Sequence, residues 1–366
     1  MRLVPALPLL WFCVVGTVTL GAETPKMSPF LKGVKRILFV GDSLTDGSSY
    51  PDHVVNTLNK LFPDAGFQVH NAAVAGDTAA SVRKRFQQDV IERKPDLMIL
   101  CIGTNDCHGR RPLTDYETDV EAIVSETLKT AAKVMIVLPS PFGKTNAAMD
   151  KPFQDYLAVL RKIAGKYNLT VADAHAEFTK GEKAGREMLG FDGIHHGKHG
   201  FEGMTRAIID AFGFKEVKLE LTVTPWPGLQ TQWESSAPVP LDNQYSPTKA
   251  RDWKPYDAMA LMTKQPWWNS PFPARGGWMP FLDRNSKQAA YGRTYYDTKK
   301  AGKYELQVGG SPSPQIVWLN GQQVWKSKRP HGYHPNADRV TVVMKRGRNE
   351  IIVISNFMIF VGVHEQ

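Results

Sequence analysis

The chain has 366 residues, 42 % of them hydrophobic, and a formal net charge of +9. That is enough apolar material for a real core and too much chain for one small domain, which excludes a disordered polymer and points to two units. The basic runs Lys326-Ser327-Lys328-Arg329 and Lys345-Arg346-Gly347-Arg348 are short, scattered and unaccompanied by any nucleic-acid motif, so no nucleic-acid partner is expected.

At the N-terminus, Arg2, the apolar run from Leu9 to Val18 and the small pair Gly21-Ala22 read as a signal peptide over residues 1–22. The apolar run is too short for a membrane span, and none is expected in the mature chain. Cys13 lacks the small neighbours of a lipid-attachment site, so the protein is expected to be secreted or periplasmic, without a lipid anchor. Removal of the signal leaves Cys101 and Cys107, which excludes a disulfide-stapled scaffold. The two thiols can pair in an oxidising compartment, but two separate small residues near a strand end are the simpler reading.

Residues 23–214 form the first expected unit. Its strand-like runs are Arg36–Val40, Gln68–Val74, Leu97–Ile102, Val134–Leu138 and Leu169–Ala172. Between and after them the apolar spacing predicts helices over Pro51–Leu61, Thr78–Glu92, Asp115–Thr130, Phe153–Tyr167 and Gly200–Phe212. Short continuous apolar strands alternating with amphipathic helices imply a parallel sheet covered on both faces, an α/β three-layer sandwich. In such sheets the ligand site lies at the carboxyl ends of the strands, where Ser43, Gly76 and Gly103-Thr104-Asn105 all fall.

Beyond about residue 215 the composition changes. The eight tryptophans that follow residue 22 all lie between Trp226 and Trp325, and ten of the 25 prolines fall in residues 223–282. That much proline disfavours regular helices and central strands, so residues 215–285 read as an extended connector. Residues 286–366 return to strand patterning, with Tyr304–Val308, Gln315–Leu319, Val340–Met344 and Ile351–Ile354 as runs and Asn320-Gly321 as a hairpin turn. They are expected to form an antiparallel β-sandwich.

The chemistry-bearing constellation starts at Val40-Gly41-Asp42-Ser43-Leu44-Thr45-Asp46. A serine where a buried strand gives way to a helical segment exposes both its hydroxyl and its own N–H, which suits a nucleophile. Phe191-Asp192-Gly193-Ile194-His195 supplies a base, His195, and a carboxylate three residues away, Asp192, that can fix its tautomer. Gly76 offers a backbone N–H with no side chain in the way, and Asn105 an amide; with the Ser43 N–H they make three donors for an oxyanion. Asp42, His108 and His196 are candidates for lining the substrate pocket. Asp42 and Asp106 also read as loop ties, Asp77 as the N-cap of the following helix, and His53, His70 and His175 as structural. His195, His196 and His199 imitate a metal cluster but lack an acidic partner at ligand spacing, so neither a metal nor another cofactor is expected. A decoy, His334-Pro335-Asn336, has His331 rather than an acid three positions earlier.

Gly41-Asp42-Ser43-Leu44, Gly76, Gly103-Thr104-Asn105-Asp106 and Asp192-Gly193-Ile194-His195 resemble, in order, the four motif blocks of the SGNH, or GDSL, hydrolases. The resemblance covers roughly residues 34–212. It implies a flavodoxin-like sandwich, a metal-free serine esterase, and the roles just given to Ser43, Gly76, Asn105, Asp192 and His195. One departure stands out: the family's histidine is commonly followed by proline, and His196 stands there instead. The catalytic loops are short and carry no long apolar insert, which favours a polar acylated substrate. The leading expectation is a secreted esterase removing short O-acyl groups, acetyl above all, from carbohydrates. A lysophospholipase- or thioesterase-like hydrolase of longer acyl groups is the alternative enzyme. A carbohydrate-binding protein with an inert hydrolase half is the alternative class. Most of the tryptophans read as core and connector packing; exposed indole faces, with Trp267-Trp268 and Trp278 as the main candidates, would let the second half of the chain, residues 286–366 included, bind polysaccharide.

Overall fold

The computed structural model describes residues 25–223, 226, 228–242, 244–256, 278, 287–310, 315–328, 332, 337–356 and 358–366. The expected signal peptide, the His334-Pro335-Asn336 decoy and Trp267-Trp268 lie outside the described residues. In the first half, β1 (Arg36–Gly41), β2 (Gln68–Asn71), β3 (Leu97–Cys101), β4 (Lys133–Leu138) and β5 (Thr170–Asp173) form one parallel sheet in the order β2-β1-β3-β4-β5. The strands are apolar on both faces because both are covered. Leu38, Val40, Met98, Leu100, Val134 and Ile136 pack on one side with α2 (Ala79–Lys84), α4 (Leu113–Leu128) and α5 (Asp150–Tyr167). Ile37, Phe39, Leu97, Ile99, Met135 and Val137 pack on the other with α1 (Tyr50–Leu61), α6 (Ala174–Lys183) and α7 (Gly200–Ala211). The period-2 division of each strand between two cores is what a three-layer sandwich requires.

Two local differences from the sequence reading have physical causes. The expected helix over Thr78–Glu92 is broken: α2 ends at Lys84, and a π-helical turn covers Gln87–Ile91. Its N-cap is Thr78, whose hydroxyl accepts from Ser81 N–H, and not Asp77, whose carboxylate is taken by Arg85. Helix α6 was not expected, since Ala174–Lys183 is largely polar and buries only Ala174, Phe178 and Gly181.

The chain leaves β1, adds β2 at its outer side, then crosses back to lay β3 on β1's other side. The reversal makes the cleft between the carboxyl ends of β1 and β3 the natural site of such a sheet. Gly41, at the end of β1, has no room for a side chain because the Cys101 carbonyl and the Thr45 hydroxyl crowd it. The strand therefore delivers Asp42 and Ser43 directly onto the rim.

After α7 the backbone returns across α1. Arg206 donates to Val217 O at 2.7 Å, Glu220 N–H to Thr57 Oγ1 at 2.9 Å, and Asn56 to Thr222 O at 2.8 Å. Among the described residues the second half holds two antiparallel sheets. One has the order β13-β10-β15, with β10 Gly302–Gly310, β13 Asp338–Met344 and β15 Ile359–Glu365. The other runs β12-β11-β14-β9-β6-β8, with β7 also on β9. Here β6 is Trp233–Ser235, β7 Val239–Pro240, β8 Lys254–Tyr256, β9 Gln288–Thr298, β11 Ile316–Leu319, β12 Gln322–Lys326 and β14 Gly347–Ser355. The turn between β11 and β12 has positive φ at both Asn320 and Gly321, the geometry that an Asn-Gly hairpin demands. The proline-rich stretch contributes β6, β7 and β8 to the sheet of β9, so part of it is structural edge rather than connector. Trp226 joins the halves: its ring lies 5.3 Å from that of His70 on β2, and its Nε1 donates to Gln307 at 3.3 Å.

Trp278, expected among the exposed tryptophans, is instead fully buried between the two sheets. It packs near Trp233 and fills the space where Gly292 has no side chain, only 2.6 Å from where a Cβ would stand. Trp278→Ala is expected to lower unfolding free energy by about 3–5 kcal/mol, read from the denaturant midpoint of the β-rich half. A change below about 1 kcal/mol would mean that the indole does not hold these sheets together.

Candidate active site

The turn after β1 is built from its own backbone. Thr45 and Asp46 N–H both donate to Asp42 O, at 3.0 and 2.8 Å, and Leu44 N–H donates to Asp42 Oδ1 at 3.0 Å. These bonds wind the chain tightly around the partly exposed Ser43. Ser43 Oγ lies 2.9 Å from Nε2 of His195, and His195 Nδ1 lies 2.6 Å from Asp192 Oδ2. The two ring nitrogens thus face a hydroxyl and a carboxylate, the arrangement in which an imidazole held by a carboxylate can take a proton from the hydroxyl.

Asp192 is held by more than the ring. Its Oδ1 accepts from Ile194 and His195 N–H, each at 3.0 Å. Burial pushes its pKa up, but the bonds from the His195 ring and these two amides outweigh that and hold it below the ordinary carboxylate range. It therefore stays charged beside the imidazole. Gly193 takes φ +66°, the bend that brings carboxylate and ring together.

A loop that sequence reasoning passed over supports this turn. Gly143 N–H donates to Gly193 O at 2.8 Å, and Asn146 Nδ2 donates to Asp192 O at 2.6 Å. Both residues follow β4 and the Leu138-Pro139-Ser140-Pro141 run, whose prolines were the one visible sign of a fixed loop there.

The three expected donors stand on linked loops: Asn105 is tied to the Gly76 loop through Asp77 O, and that loop to the Ser43 turn through Asp46. Gly76 is exposed at φ +84°, with nothing within 4 Å of where a side chain would stand. Among the described residues, neither the Gly76 nor the Ser43 N–H has a protein acceptor. Asn105 lies in the first turn of the short helix α3 (Thr104–His108) and donates one amide hydrogen to Asp77 O at 3.0 Å, leaving the other available. Beneath it Asp106 is fully buried, accepting from Ala79 N–H at 3.0 Å and from Arg111 at 3.2 Å. That matches its reading as a loop tie.

Of the expected pocket residues, His108 is exposed at the end of α3. The other two belong to the interior. Asp42 is buried beneath the Ser43 turn, and burial, with Asp106 and Asp77 nearby, raises its pKa to about 7. His196 packs its ring among Tyr50, Phe178 and Phe201, with Nε2 sealed from solvent. Burial and the neighbouring His195 lower its pKa to about 3. An aromatic ring wedged into the core thus stands where the family's proline stiffens the loop. The three histidines diverge: His195 to Asp192, His196 into the core, and His199 toward Glu202 at 3.8 Å. Among the described residues no group of three His, Cys, Asp or Glu side chains is placed to hold a metal ion, and no helix is long and apolar enough to cross a membrane. Cys101 and Cys107 are both buried free thiols.

Asp42 yields a pH prediction. Between the unfolded carboxylate value of 3.8 and about 7 the folded chain holds a proton there that the unfolded chain releases. Its contribution to stability is thus complete at low pH and is lost as pH rises through about 7. The stability of Asp42→Asn relative to wild type is expected to increase from about pH 4 to about pH 8, by at most roughly 1.4 kcal/mol per unit. A pH-independent difference in denaturant midpoints would show that the carboxyl is already ionised throughout.

A family model for the GDSL-like lipase/acylhydrolase family matches residues 39–202. The chain is 29 % identical over 213 residues to an acetylxylan esterase of Geobacillus stearothermophilus, spanning 50 % of this chain and 96 % of that protein. It is 26 % identical over 168 residues to esterase TesA of Pseudomonas aeruginosa, spanning 43 % of this chain and 78 % of that one. A solved structure of an acetyl xylan esterase from Geobacillus stearothermophilus aligns at 26 % identity with a TM-score of 0.47, covering 50 % of this chain and 97 % of the other. Residues 39–202, with the loops they gather at the rim of a parallel sheet, thus form a unit that matches the GDSL-like lipase/acylhydrolase family and is similar to ester hydrolases.

Proposed function

We propose that the protein is a secreted serine esterase that removes short O-acyl groups, acetyl above all, from carbohydrates. The observation that carries the reading is the 2.9 Å approach of Ser43 Oγ to His195 Nε2, with Asp192 at the opposite nitrogen. Ser43 Oγ attacks the ester carbonyl carbon as its proton passes to His195 Nε2. The carbonyl oxygen becomes an oxyanion that the N–H groups of Ser43 and Gly76 and the Asn105 amide receive. The C–O bond to the sugar breaks, and His195 gives its proton to the departing sugar oxygen, which leaves as a hydroxyl. Water then attacks the acyl-serine by the same route, releasing the acid and restoring Ser43. Asp192 keeps the imidazole in the required tautomer and balances the imidazolium formed at each step.

Two features support a small acyl group on a polar carrier. His195 is exposed, so the proton relay opens to solvent rather than to an apolar tunnel. The similar esterase of Geobacillus stearothermophilus is named for acetylxylan. The N-terminal charge and apolar run support export, with residues 1–22 as signal, 23–214 as the hydrolase unit, 215–285 as a linking stretch and 286–366 as a β-sandwich. Burial of Trp233, Trp278, Trp318 and Trp325 weakens the case that tryptophan faces on the sandwich bind polysaccharide.

The reading is tested by measuring acid released from acetylated xylan, other acetylated glycans and 4-nitrophenyl esters of graded chain length. Acetyl esters are expected to be turned over fastest. Ser43→Ala is expected to cut turnover by at least about 1000-fold, and Asn105→Ala to cut kcat by about 100-fold or more, both with unchanged folding. Near-wild-type hydrolysis by Ser43→Ala refutes the serine mechanism, and fastest turnover of octanoyl esters refutes the short-acyl assignment.

A further inference from the structure

We propose that Arg85 is a positioning residue for the oxyanion site: it clamps the two ends of the loop that presents the Gly76 N–H. The inference rests on the reading of Gly76 as an oxyanion donor and extends it to a side chain that touches no substrate.

Residues 72–77 connect β2 to α2. At one end, Ala72 continues the pairing with β1, its N–H donating to Phe39 O at 2.8 Å. At the other, Asp77 precedes the cap of α2. The Arg85 guanidinium reaches both. Its Nη1 donates to Ala72 O at 2.5 Å, while Nε and Nη2 donate to Asp77 Oδ2 at 2.8 and 2.5 Å. Nη1 also meets Asp89 Oδ2 at 3.0 Å. The side chain is only 12 % exposed, so these bonds face little competition from water.

The clamp acts on the donors through the backbone. Asp77, fixed by Arg85 through its carboxylate, uses its carbonyl to accept the Asn105 amide at 3.0 Å. Ala75 N–H, next to Gly76, donates to Asp46 Oδ2 at 2.8 Å and so ties the loop to the Ser43 turn. A glycine at φ +84° with open space around it has nothing of its own to hold its N–H on target. Val74 N–H, donating to Gly41 O at 3.1 Å, and the Ala75 bond hold the middle of the loop, and the Arg85 guanidinium grips both of its ends. The planar fork of arginine can serve a backbone carbonyl and a carboxylate together; a lysine ammonium keeps the charge but loses that two-ended geometry.

The test compares Arg85→Lys with wild type, Asn105→Ala and Ser43→Ala on an acetyl ester, and measures the affinity of each for phenylboronic acid, which forms a tetrahedral adduct on a serine nucleophile. Arg85→Lys is expected to stay folded, lose kcat by about 10- to 100-fold with KM unchanged, and bind the boronic acid correspondingly more weakly. If Arg85→Lys is too unstable, Arg85→Gln assayed well below its own melting temperature serves instead. The proposal is overturned if the folded variant matches wild type in kcat and boronic acid affinity while Ser43→Ala is dead. It is equally overturned if lost activity only tracks the unfolded fraction. Retained hydrolysis by Ser43→Ala removes the underlying serine reading, and the clamp proposal falls with it.

Discussion

The parallel pairing of β1 with β3 is the constraint on which the rest depends. Register places Gly41 opposite Cys101, so the loops that follow the two strands leave the sheet side by side. Ser43 and Asn105 follow adjacent strand ends because of that pairing and not because of any affinity between them. The strands are buried on both faces and cannot shift by one residue without exchanging two whole sets of core side chains, Leu38 and Val40 for Ile37 and Phe39. The precision of the rim is therefore inherited from the core.

The base arrives by a different route. Asp192 and His195 sit in a long return between α6 and α7, with no strand to anchor them. Their loop is held from two sides. On one, Gly143 and Asn146 bind Gly193 and Asp192 through backbone oxygens. On the other, the His196 ring enters the cluster of Tyr50, Phe178 and Phe201. Tyr50 in turn shares a hydrogen bond of 2.7 Å with Thr45, two residues from Ser43. Hydroxyl and imidazole are thus joined through the core as well as directly, an arrangement that keeps both near reacting distance at little entropic cost when substrate arrives.

Charge is distributed to the same end. The carboxylates with net partners, Asp77 with Arg85 and Asp106 with Arg111, brace loops. Asp192 is charged and close to solvent, whereas Asp42 lies deep enough that its proton is retained to about pH 7. These two carboxyls, Asp192 and Asp42, so differ in state because their burial and donors differ.

The five parallel strands, the four main amphipathic helices between and after them, and the order of the site blocks were legible in the residues, since apolar periodicity and glycine placement are local properties. The Asn320-Gly321 turn was legible for the same reason. Helix α6 was not, because it buries too few side chains to show a period. Nor was the burial of Trp278, the inward turn of His196, or the service of Asn146 and Arg85 to loops distant in sequence. A tryptophan, a histidine or an arginine carries the same composition signal whether it faces solvent or core. Sequence alone determined which groups exist to do the chemistry and in what order the chain delivers them. Only the tertiary structure decided which were brought within hydrogen-bond reach, because that choice depends on strand crossover and on core contacts between segments that are far apart along the chain.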